Sequence, residues 1–177
     1  MSVTKIFIAG FGGQGVLLIG RMLAYAAMYE EKEVTWMPSY GPEMRGGTAN
    51  CTVCISEDPI ASPLASTYDV LVAMNGPSLD KFESMLLPGG DLFINSSIVT
   101  QKATRTDVNV YYVDCNKIAE EQVGNAKTAN MVMLGAIIQI TNVVGLDIME
   151  KVFEYVMTGG KTALIALNMK ALAAWTK

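Results

Sequence analysis

Histidine is absent from the 177-residue chain, and its absence removes several kinds of catalytic site. Without an imidazole there is no Ser–His or Cys–His nucleophile pair, and the most common transition-metal ligand is missing. General acid–base chemistry within the chain is therefore left to carboxylates, lysine, tyrosine or a cofactor held elsewhere.

Cysteine is scarce as well, with three residues in the chain. An odd number argues against a disulfide framework, and three thiolates are too few for the four ligands of an iron–sulfur cluster. Cys51 and Cys54 form a C-x-x-C within TANCTVCIS, which has the composition of a β-strand. Residues three apart in a strand point to opposite faces of a sheet, so we expect two small buried side chains and no shared metal.

Charge is also low, since charged residues make up 17% of the chain, against about 25% in an average soluble domain. The net charge is -4 and no basic run occurs, which argues against nucleic-acid binding. The N-terminus has no signal-peptide pattern and no apolar run could span a bilayer, so we expect a cytoplasmic protein without membrane association. Hydrophobic residues form 51% of the chain, and we expect part of this material to lie against other subunits.

Strand-like and helix-like segments alternate along the chain, with no linker or repeat to divide it. This alternation predicts a single domain, residues 1–177, of the α/β class: a Rossmann-like three-layer sandwich with a mostly parallel sheet. Ser78 and Thr128 are the expected caps of two helices, and Pro88, Gly89 and Gly90 are the expected stop signal of the first. The predicted strands cover residues 5–9, 33–37, 48–56, 70–74, 91–95 and 108–113, and the predicted helices cover 14–28, 78–87, a short stretch from 116, 128–144, 147–157 and 162–175.

A glycine turn follows the first predicted strand in IFIAGFGGQGVLLIGRML. Gly10, Gly12 and Gly15 form G-x-G-x-x-G, the turn that brings a helix N-terminus to a pyrophosphate in dinucleotide-binding proteins. The second predicted strand ends in Met37-Pro38-Ser39-Tyr40, without the carboxylate that holds the ribose hydroxyls. The turn is therefore a structural bend or a site for another anion, and tight NAD(P) binding is the less favoured interpretation. The residues of this candidate anion-binding turn are Gly10, Gly12, Gly13, Gln14 and Gly15.

A second candidate site is the segment PSYGPEMRGG, residues 38–47, which its composition predicts to be a loop. It follows a strand, and ligands of open α/β sheets bind at the carboxyl ends of strands. Arg45 has the fork geometry to pair with a carboxylate or a phosphate, and Glu43 is suited to orient it. The candidate residues of this loop are Ser39, Tyr40, Glu43, Arg45, Gly46 and Gly47.

The succession GFGGQG, PSYGPEMRGG, CTVCIS and IASP resembles the gamma subunit of the 2-oxoacid:ferredoxin oxidoreductases. It is similar to the version in enzymes that act on 2-oxoglutarate, branched-chain 2-oxoacids (ketoisovalerate) or pyruvate. The resemblance extends from Lys5 to the last predicted helix, where NMKALAAW also matches. As a gamma-type domain of this family, the chain has an expected role in a coenzyme A-dependent oxidative decarboxylation, with 2-oxoglutarate as the expected substrate.

The resemblance also implies a division of labour among subunits. Thiamine diphosphate, Mg and the iron–sulfur clusters are expected in partner subunits, named alpha, beta and, in some complexes, a ferredoxin-like delta. Coenzyme A is the expected co-substrate, and ferredoxin is the expected electron acceptor. No catalytic residue and no metal ligand is assigned to this chain, which is expected to be inactive alone.

Two questions stay open at the level of the sequence. The loop of Tyr40, Glu43 and Arg45 either reaches the shared active site or coenzyme A channel, or forms a rigid subunit contact in which Glu43 and Arg45 pair. The alternative function is a stand-alone nucleotide-binding Rossmann-like module, which requires a ribose partner that the sequence does not provide.

Overall fold

Six strands form one sheet in the computed structural model, which describes residues 3–41, 47–157 and 162–177. The order across the sheet is β2-β3-β1-β4-β5-β6. In chain order the strands are β1 (Thr4–Phe11), β2 (Glu33–Tyr40), β3 (Thr48–Ser56), β4 (Tyr68–Ala73), β5 (Leu86–Asn95) and β6 (Asn109–Val113). The α-helices are α1 (Val16–Tyr29), α2 (Gly76–Phe82), α3 (Cys115–Ile118), α4 (Ala129–Thr141), α5 (Met149–Val156) and α6 (Thr162–Ala174).

The sheet has a parallel part and an antiparallel part. Strands β1, β4, β5 and β6 pair in parallel, whereas β3 pairs antiparallel with both β1 and β2. β2 therefore points the same way as β1 but lies one strand further out. The central strands are continuous apolar runs buried on both faces, as parallel strands covered by helices require.

Hydrophobic clusters cover both faces of the sheet. The larger cluster joins the sheet to α1, α4, α5 and α6 through side chains such as Ile19, Leu134 and Leu172. The smaller one joins Phe7 and Leu71 to Leu79 of α2 on the other face. This confirms the predicted Rossmann-like three-layer α/β sandwich.

β2 is longer than its composition predicts, because it continues through Pro38 to Tyr40. The expectation of a loop beginning at Pro38 is wrong for its first three residues. Pro38 faces Cys51 of β3, and the other side of β2 has no strand within the described chain. Proline is tolerated in an edge strand because its missing N–H deprives no second neighbour of a hydrogen bond.

β5 also differs from the prediction, since Pro88, Gly89 and Gly90 lie within it and do not end the preceding helix. The pairing of β4 with β5 shifts register at this point, which is the signature of a β-bulge. Gly89 has a φ of 78°, a left-handed conformation that glycine adopts without steric cost.

The cap of α2 is Asn75 and not Ser78. The Asn75 carboxamide oxygen accepts a hydrogen bond from the Ser78 backbone N–H at 2.8 Å, which satisfies a free donor of the first helical turn. Thr128 does occupy the cap position of α4, but its hydroxyl donates to the Asn125 carbonyl at 2.8 Å.

Candidate functional site

Gly12 to Gly15 lie between the end of β1 and the start of α1, whereas Gly10 is still part of β1. Gly13 and Gly15 have φ angles of 98° and 73°, which residues other than glycine rarely adopt. The Gln14 N–H donates to the Phe11 carbonyl at 3.2 Å, and the Gly12 N–H donates to the Gly47 carbonyl at 2.8 Å. The turn is thereby fixed both internally and to the residue that precedes β3.

Gln14 fastens the turn to the neighbouring strand. Its Oε1 accepts from the Phe11 N–H at 2.7 Å, and its Nε2 donates to the Met74 carbonyl at 2.9 Å. Asn75 approaches the same Oε1 at 3.4 Å. A Cβ atom at Gly10 would come within 2.6 Å of Gln14 Oε1 and 2.9 Å of the Met74 Cβ, so glycine is required there for the strands and turn to meet.

A cleft of about 180 Å³ opens beside this turn, at the carboxyl ends of β1, β4 and β5. The chain leaves β1 toward one side of the sheet and leaves β4 toward the other, so the cleft lies where the order of strands reverses. Open α/β sheets bind their ligands at this position. The described lining residues that carry polar side chains are Gln14, Asn95, Asn116, Lys127 and Asn130.

The far wall of the cleft is held by a hydrogen-bonded network after β5 and β6. The Asn95 side chain is fully buried and donates to Asn116 Oδ1 at 3.0 Å. The Ser97 hydroxyl donates to Asp114 Oδ1 at 3.0 Å and accepts from the Asn116 N–H at 3.1 Å. These bonds orient the amide side chains of the wall without placing a carboxylate in the cleft.

A second, less polar depression of about 290 Å³ lies on the other side of the same turn. Gly12, Leu17, Tyr40 and Ala49 are among its lining residues, and Tyr40 is 65% exposed. The structure thus brings the glycine turn together with Tyr40, and with Gly47 through its carbonyl. Ser39 is exposed in β2, and the candidates Glu43, Arg45 and Gly46 lie outside the described residues.

The position of β3 bears on dinucleotide binding. In Rossmann proteins the strand after the first helix lies beside the first strand and carries the ribose-binding acid. Here β3 occupies that place, pairing Phe11 with Thr48 and Gly10 with Ala49. The end of β2 has no carboxylate and lies one strand further from the glycine turn. The missing acid and the strand order therefore both argue against NAD(P) binding.

The three cysteines are buried on two elements of the fold. Cys51 and Cys54 are buried in β3 three residues apart, and Cys115 is buried at the start of α3. Burial raises the pKa of the Cys51 thiol to about 12, and burial likewise raises the pKa of Cys115, so both remain protonated at neutral pH. The three cysteines of the chain are fewer than the four thiolates of an iron–sulfur cluster.

No group of three acidic, cysteine or histidine side chains within residues 3–41, 47–157 and 162–177 could hold a metal ion. In the same part of the chain, every helix is too short or too polar to cross a lipid bilayer.

Asn116 and Asn130 are site residues that the sequence analysis did not identify. Asn130 is the only polar side chain between Ala129 and Ile138, and the isolated asparagine in an apolar helix is the one local feature that distinguishes it. Asn116 carries no such signal, because its role depends on the pairing of β5 with β6.

Comparison with known proteins assigns this arrangement to a family. Residues 5–175 match the family described as pyruvate ferredoxin/flavodoxin oxidoreductase, and the chain belongs to this family. The expected resemblance to the gamma subunit of 2-oxoacid:ferredoxin oxidoreductases is confirmed by its relatives and structural neighbours.

Three similar proteins illustrate the range of the family. The 2-oxoglutarate synthase subunit KorC of Methanocaldococcus jannaschii is 39% identical over 149 residues, which are 83% of this chain and 80% of that protein. The ketoisovalerate oxidoreductase subunit VorA of Methanothermobacter thermautotrophicus is 41% identical over 96% of this chain, which spans 35% of its length. A keto/oxoacid ferredoxin oxidoreductase gamma subunit from Geobacter sulfurreducens has a crystal structure with a TM-score of 0.80 and 32% identity, covering 97% of this chain and 95% of that one.

Proposed function

We propose that this chain is the gamma subunit of a 2-oxoacid:ferredoxin oxidoreductase. The complex oxidatively decarboxylates its 2-oxoacid, passes the electrons to ferredoxin and transfers the acyl group to coenzyme A. The observation that carries the proposal is the end-to-end similarity to a gamma subunit from Geobacter sulfurreducens, with 97% and 95% of the two chains covered.

We further propose 2-oxoglutarate as the substrate. A relative named 2-oxoglutarate synthase subunit KorC is 39% identical and has nearly the same extent as this chain, whereas the VorA relatives are about three times longer. The pyruvate/ketoisovalerate common gamma subunits have a similar extent but are 30–31% identical. Steady-state kinetics of the native complex with 2-oxoglutarate, 2-oxoisovalerate and pyruvate test the proposal. We expect the highest kcat/KM with 2-oxoglutarate, and a higher value with either of the other two would refute it.

Thiamine diphosphate, Mg and the iron–sulfur clusters belong to partner subunits in this proposal, and the isolated chain is inactive. An affinity-tagged copy purified from its native cells is expected to bring down alpha, beta and ferredoxin-like delta subunits, with the visible absorption of iron–sulfur clusters. Recovery of the tagged chain alone would contradict it. Titration of that free chain with NADH then tests the alternative of a stand-alone nucleotide-binding module.

The segment from Ser39 to Gly47 is proposed to face the shared active site. Tyr40 and the Gly47 carbonyl lie beside the glycine turn, and Arg45 between them in sequence is the residue suited to a carboxylate or a phosphate. We expect Arg45→Ala to lower turnover of the assembled complex at least tenfold, as loss of a charge-assisted hydrogen bond does. Lys151→Ala, on an exposed part of α5, is the control.

The assembly state of the Arg45→Ala complex separates the two roles of the segment. Intact subunit composition with lost turnover supports contact with substrate or coenzyme A. Loss of the complex during gel filtration would instead make the segment a subunit contact.

A further inference from the structure

Helix α6 lies at the surface of the molecule but has the composition of a buried helix. Its sequence, TALIALNMKALAA, contains one charged residue, Lys170. Ala163, Leu164 and Ala166 are exposed, at positions where a surface helix normally carries polar side chains. A helix that is apolar all round is normally covered on every side, so the outer face of α6 is a candidate contact surface.

An open groove of about 440 Å³ separates α6 from α5 on this face. Ile165, Ala166 and Met169 form its apolar side, and Ile165 and Met169 also pack against the larger hydrophobic cluster. The side-chain Nδ2 of Asn168 donates to the sulfur of Met157 at 3.6 Å, which joins α6 to the residue after α5. The two walls of the groove are therefore tied to each other and to the core.

The α5 side of the groove is acidic. Glu150 and Glu154 are exposed and one helical turn apart, so both carboxylates lie along the same wall. Neither forms a salt bridge with another described residue, and the described lining of the groove includes no cation. The groove thus combines an apolar wall with a negatively charged one.

Exposed aromatic surface continues on the other side of α5, toward α1. Tyr155 is 56% exposed, and its ring packs edge-on against Tyr25 and Tyr29 at centroid distances of 5.1 and 6.3 Å. Tyrosine is enriched in protein–protein interfaces, and contiguous exposed apolar surface commonly marks them. Apolar groups therefore flank the acidic wall on both sides of α5.

The charge of the groove determines which kind of partner it fits. A two-fold contact between copies of this chain through the groove would bring Glu150 and Glu154 of one copy against the same carboxylates of the other, and like charges repel. The net charge of -4 further opposes self-association. Lysine or arginine side chains next to apolar ones are the complementary chemistry.

We propose that the groove between α5 and α6 is a subunit contact occupied by an amphipathic helix of another polypeptide of the complex. Apolar side chains of that helix, at helical spacing, pack on Ile165, Ala166 and Met169, and flanking lysines or arginines pair with Glu150 and Glu154. This inference rests on the proposed role as a subunit, and it assigns a contact face remote in sequence from the glycine turn.

Charge reversal in the full-length tagged chain, purified from its native cells, tests the contact. We expect the double variant Glu150→Lys, Glu154→Lys to recover about tenfold less of the partner subunits than the wild type, because each new lysine faces a cation. The matched control is Glu120→Lys, Glu121→Lys, which changes the net charge equally at exposed positions and should recover the wild-type amount. Circular dichroism of both free variants is expected to show the wild-type fold, since all four side chains are exposed.

Ala166→Arg is a second variant that leaves the acidic wall unchanged. The long side chain fills the groove and repels an incoming cation, while arginine retains a high helix propensity in α6. We expect the same loss of partner subunits as in the charge-reversed chain.

Carbodiimide treatment of the purified wild-type complex identifies the occupant, because it couples carboxylates to lysine amines in contact. We expect Glu150 or Glu154 to couple to a lysine of another subunit, within a segment that has apolar residues at helical spacing. Added glycine ethyl ester, which labels accessible carboxylates, should modify both residues less in the complex than in the free chain. Such protection without coupling supports arginine as the partner cation. Coupling to a second copy of this chain, or equal labelling in both states, would overturn the proposal.

The outcomes separate this inference from the proposed function. If the wild-type chain brings down no other subunit, both are wrong. If the charge-reversed chain and Ala166→Arg recover the same subunits in wild-type amounts, the groove contact is wrong and the role as a gamma subunit stands. An equal loss in the control Glu120→Lys, Glu121→Lys would likewise overturn the groove contact, because net charge alone would explain it.

Discussion

At the scale of single residues, Gln14 is the side chain on which the glycine turn depends. Replacing it with leucine removes one hydrogen bond to the Phe11 N–H and one to the Met74 carbonyl. Because both partner groups are partly buried, we expect the free energy of unfolding to fall by about 2 kcal/mol. Urea denaturation measures the loss, and Gln122→Leu at an exposed position is the control. Equal midpoints for the two variants would show that the turn holds without Gln14.

The cysteines give a prediction that depends on pH. With a pKa of about 12, the Cys51 thiol has a thiolate fraction of roughly 10⁻⁴ at pH 8, and burial raises the pKa of the Cys115 thiol as well. Because Cys54 is buried too, we expect no rapid reaction of the native chain with Ellman's reagent at this pH, and three reactive thiols after denaturation. A thiol that reacts within seconds in the native protein would show that one of the three is accessible.

The residues of the glycine turn were predictable because they follow a local rule. Gly10, Gly12 and Gly15 stand at fixed spacing after an apolar strand, and the backbone geometry of that motif is encoded within a few residues. Asn130 belongs to the same site but lies 115 residues after Gly15, and only the packing of α4 brings it there. Sequence patterns of short range carry no information about such a contact.

At the scale of elements, the packing of α4 against α6 depends on Gly135. A Cβ atom at Gly135 would overlap the backbone of Leu172. Glycine to alanine normally stabilises a helix by about 1 kcal/mol, but overpacking costs about 1–3 kcal/mol. We therefore expect Gly135→Ala to lower the thermal midpoint despite its better helix propensity.

The matched control for this prediction is Ala166→Gly, on an exposed position of α6, which reports helix propensity alone. Differential scanning calorimetry of both variants compares the two effects. A higher midpoint for Gly135→Ala than for the wild type would show that α6 moves away at little cost.

The elements that were predicted correctly are those whose sequence pattern is not interrupted by proline or glycine. The predicted bounds of β3 coincide with Thr48–Ser56, and a sheet flanked by helices followed from the alternation of segments. The errors at β2 and β5 come from proline and glycine, which normally mark the ends of helices and strands. Pro38 lies at a sheet edge and Gly89 in a bulge, and both circumstances are tertiary.

At the scale of the whole molecule, the sheet and its two apolar clusters predict a single cooperative unit. Helices from both halves of the sequence join the larger cluster, so we expect the chain of residues 1–177 to unfold in one step. Thermal unfolding followed by far-ultraviolet and near-ultraviolet circular dichroism tests this expectation. Separate midpoints in the two signals would show that part of the chain folds independently.

The abundance of apolar residues predicted contact with other subunits, but it does not locate the contact surface. Large side chains such as Met28, Tyr29 and Tyr155 remain 59%, 43% and 56% exposed. Which exposed groups meet another subunit depends on the shape of that subunit, and a single sequence contains no record of it.

The insertion of β3 between β1 and β2 has a consequence for protein engineering. Cofactor preference in dinucleotide enzymes is commonly altered by exchanging the acid at the end of the second strand. In this chain, Tyr40→Asp would set a carboxylate two strand spacings, about 10 Å, from the β1 axis, too far to grip a ribose above Gly12. We expect that variant to show no measurable enhancement of NADH fluorescence. An acid intended to bind the ribose of a nicotinamide dinucleotide would have to replace Thr48 or Ala49.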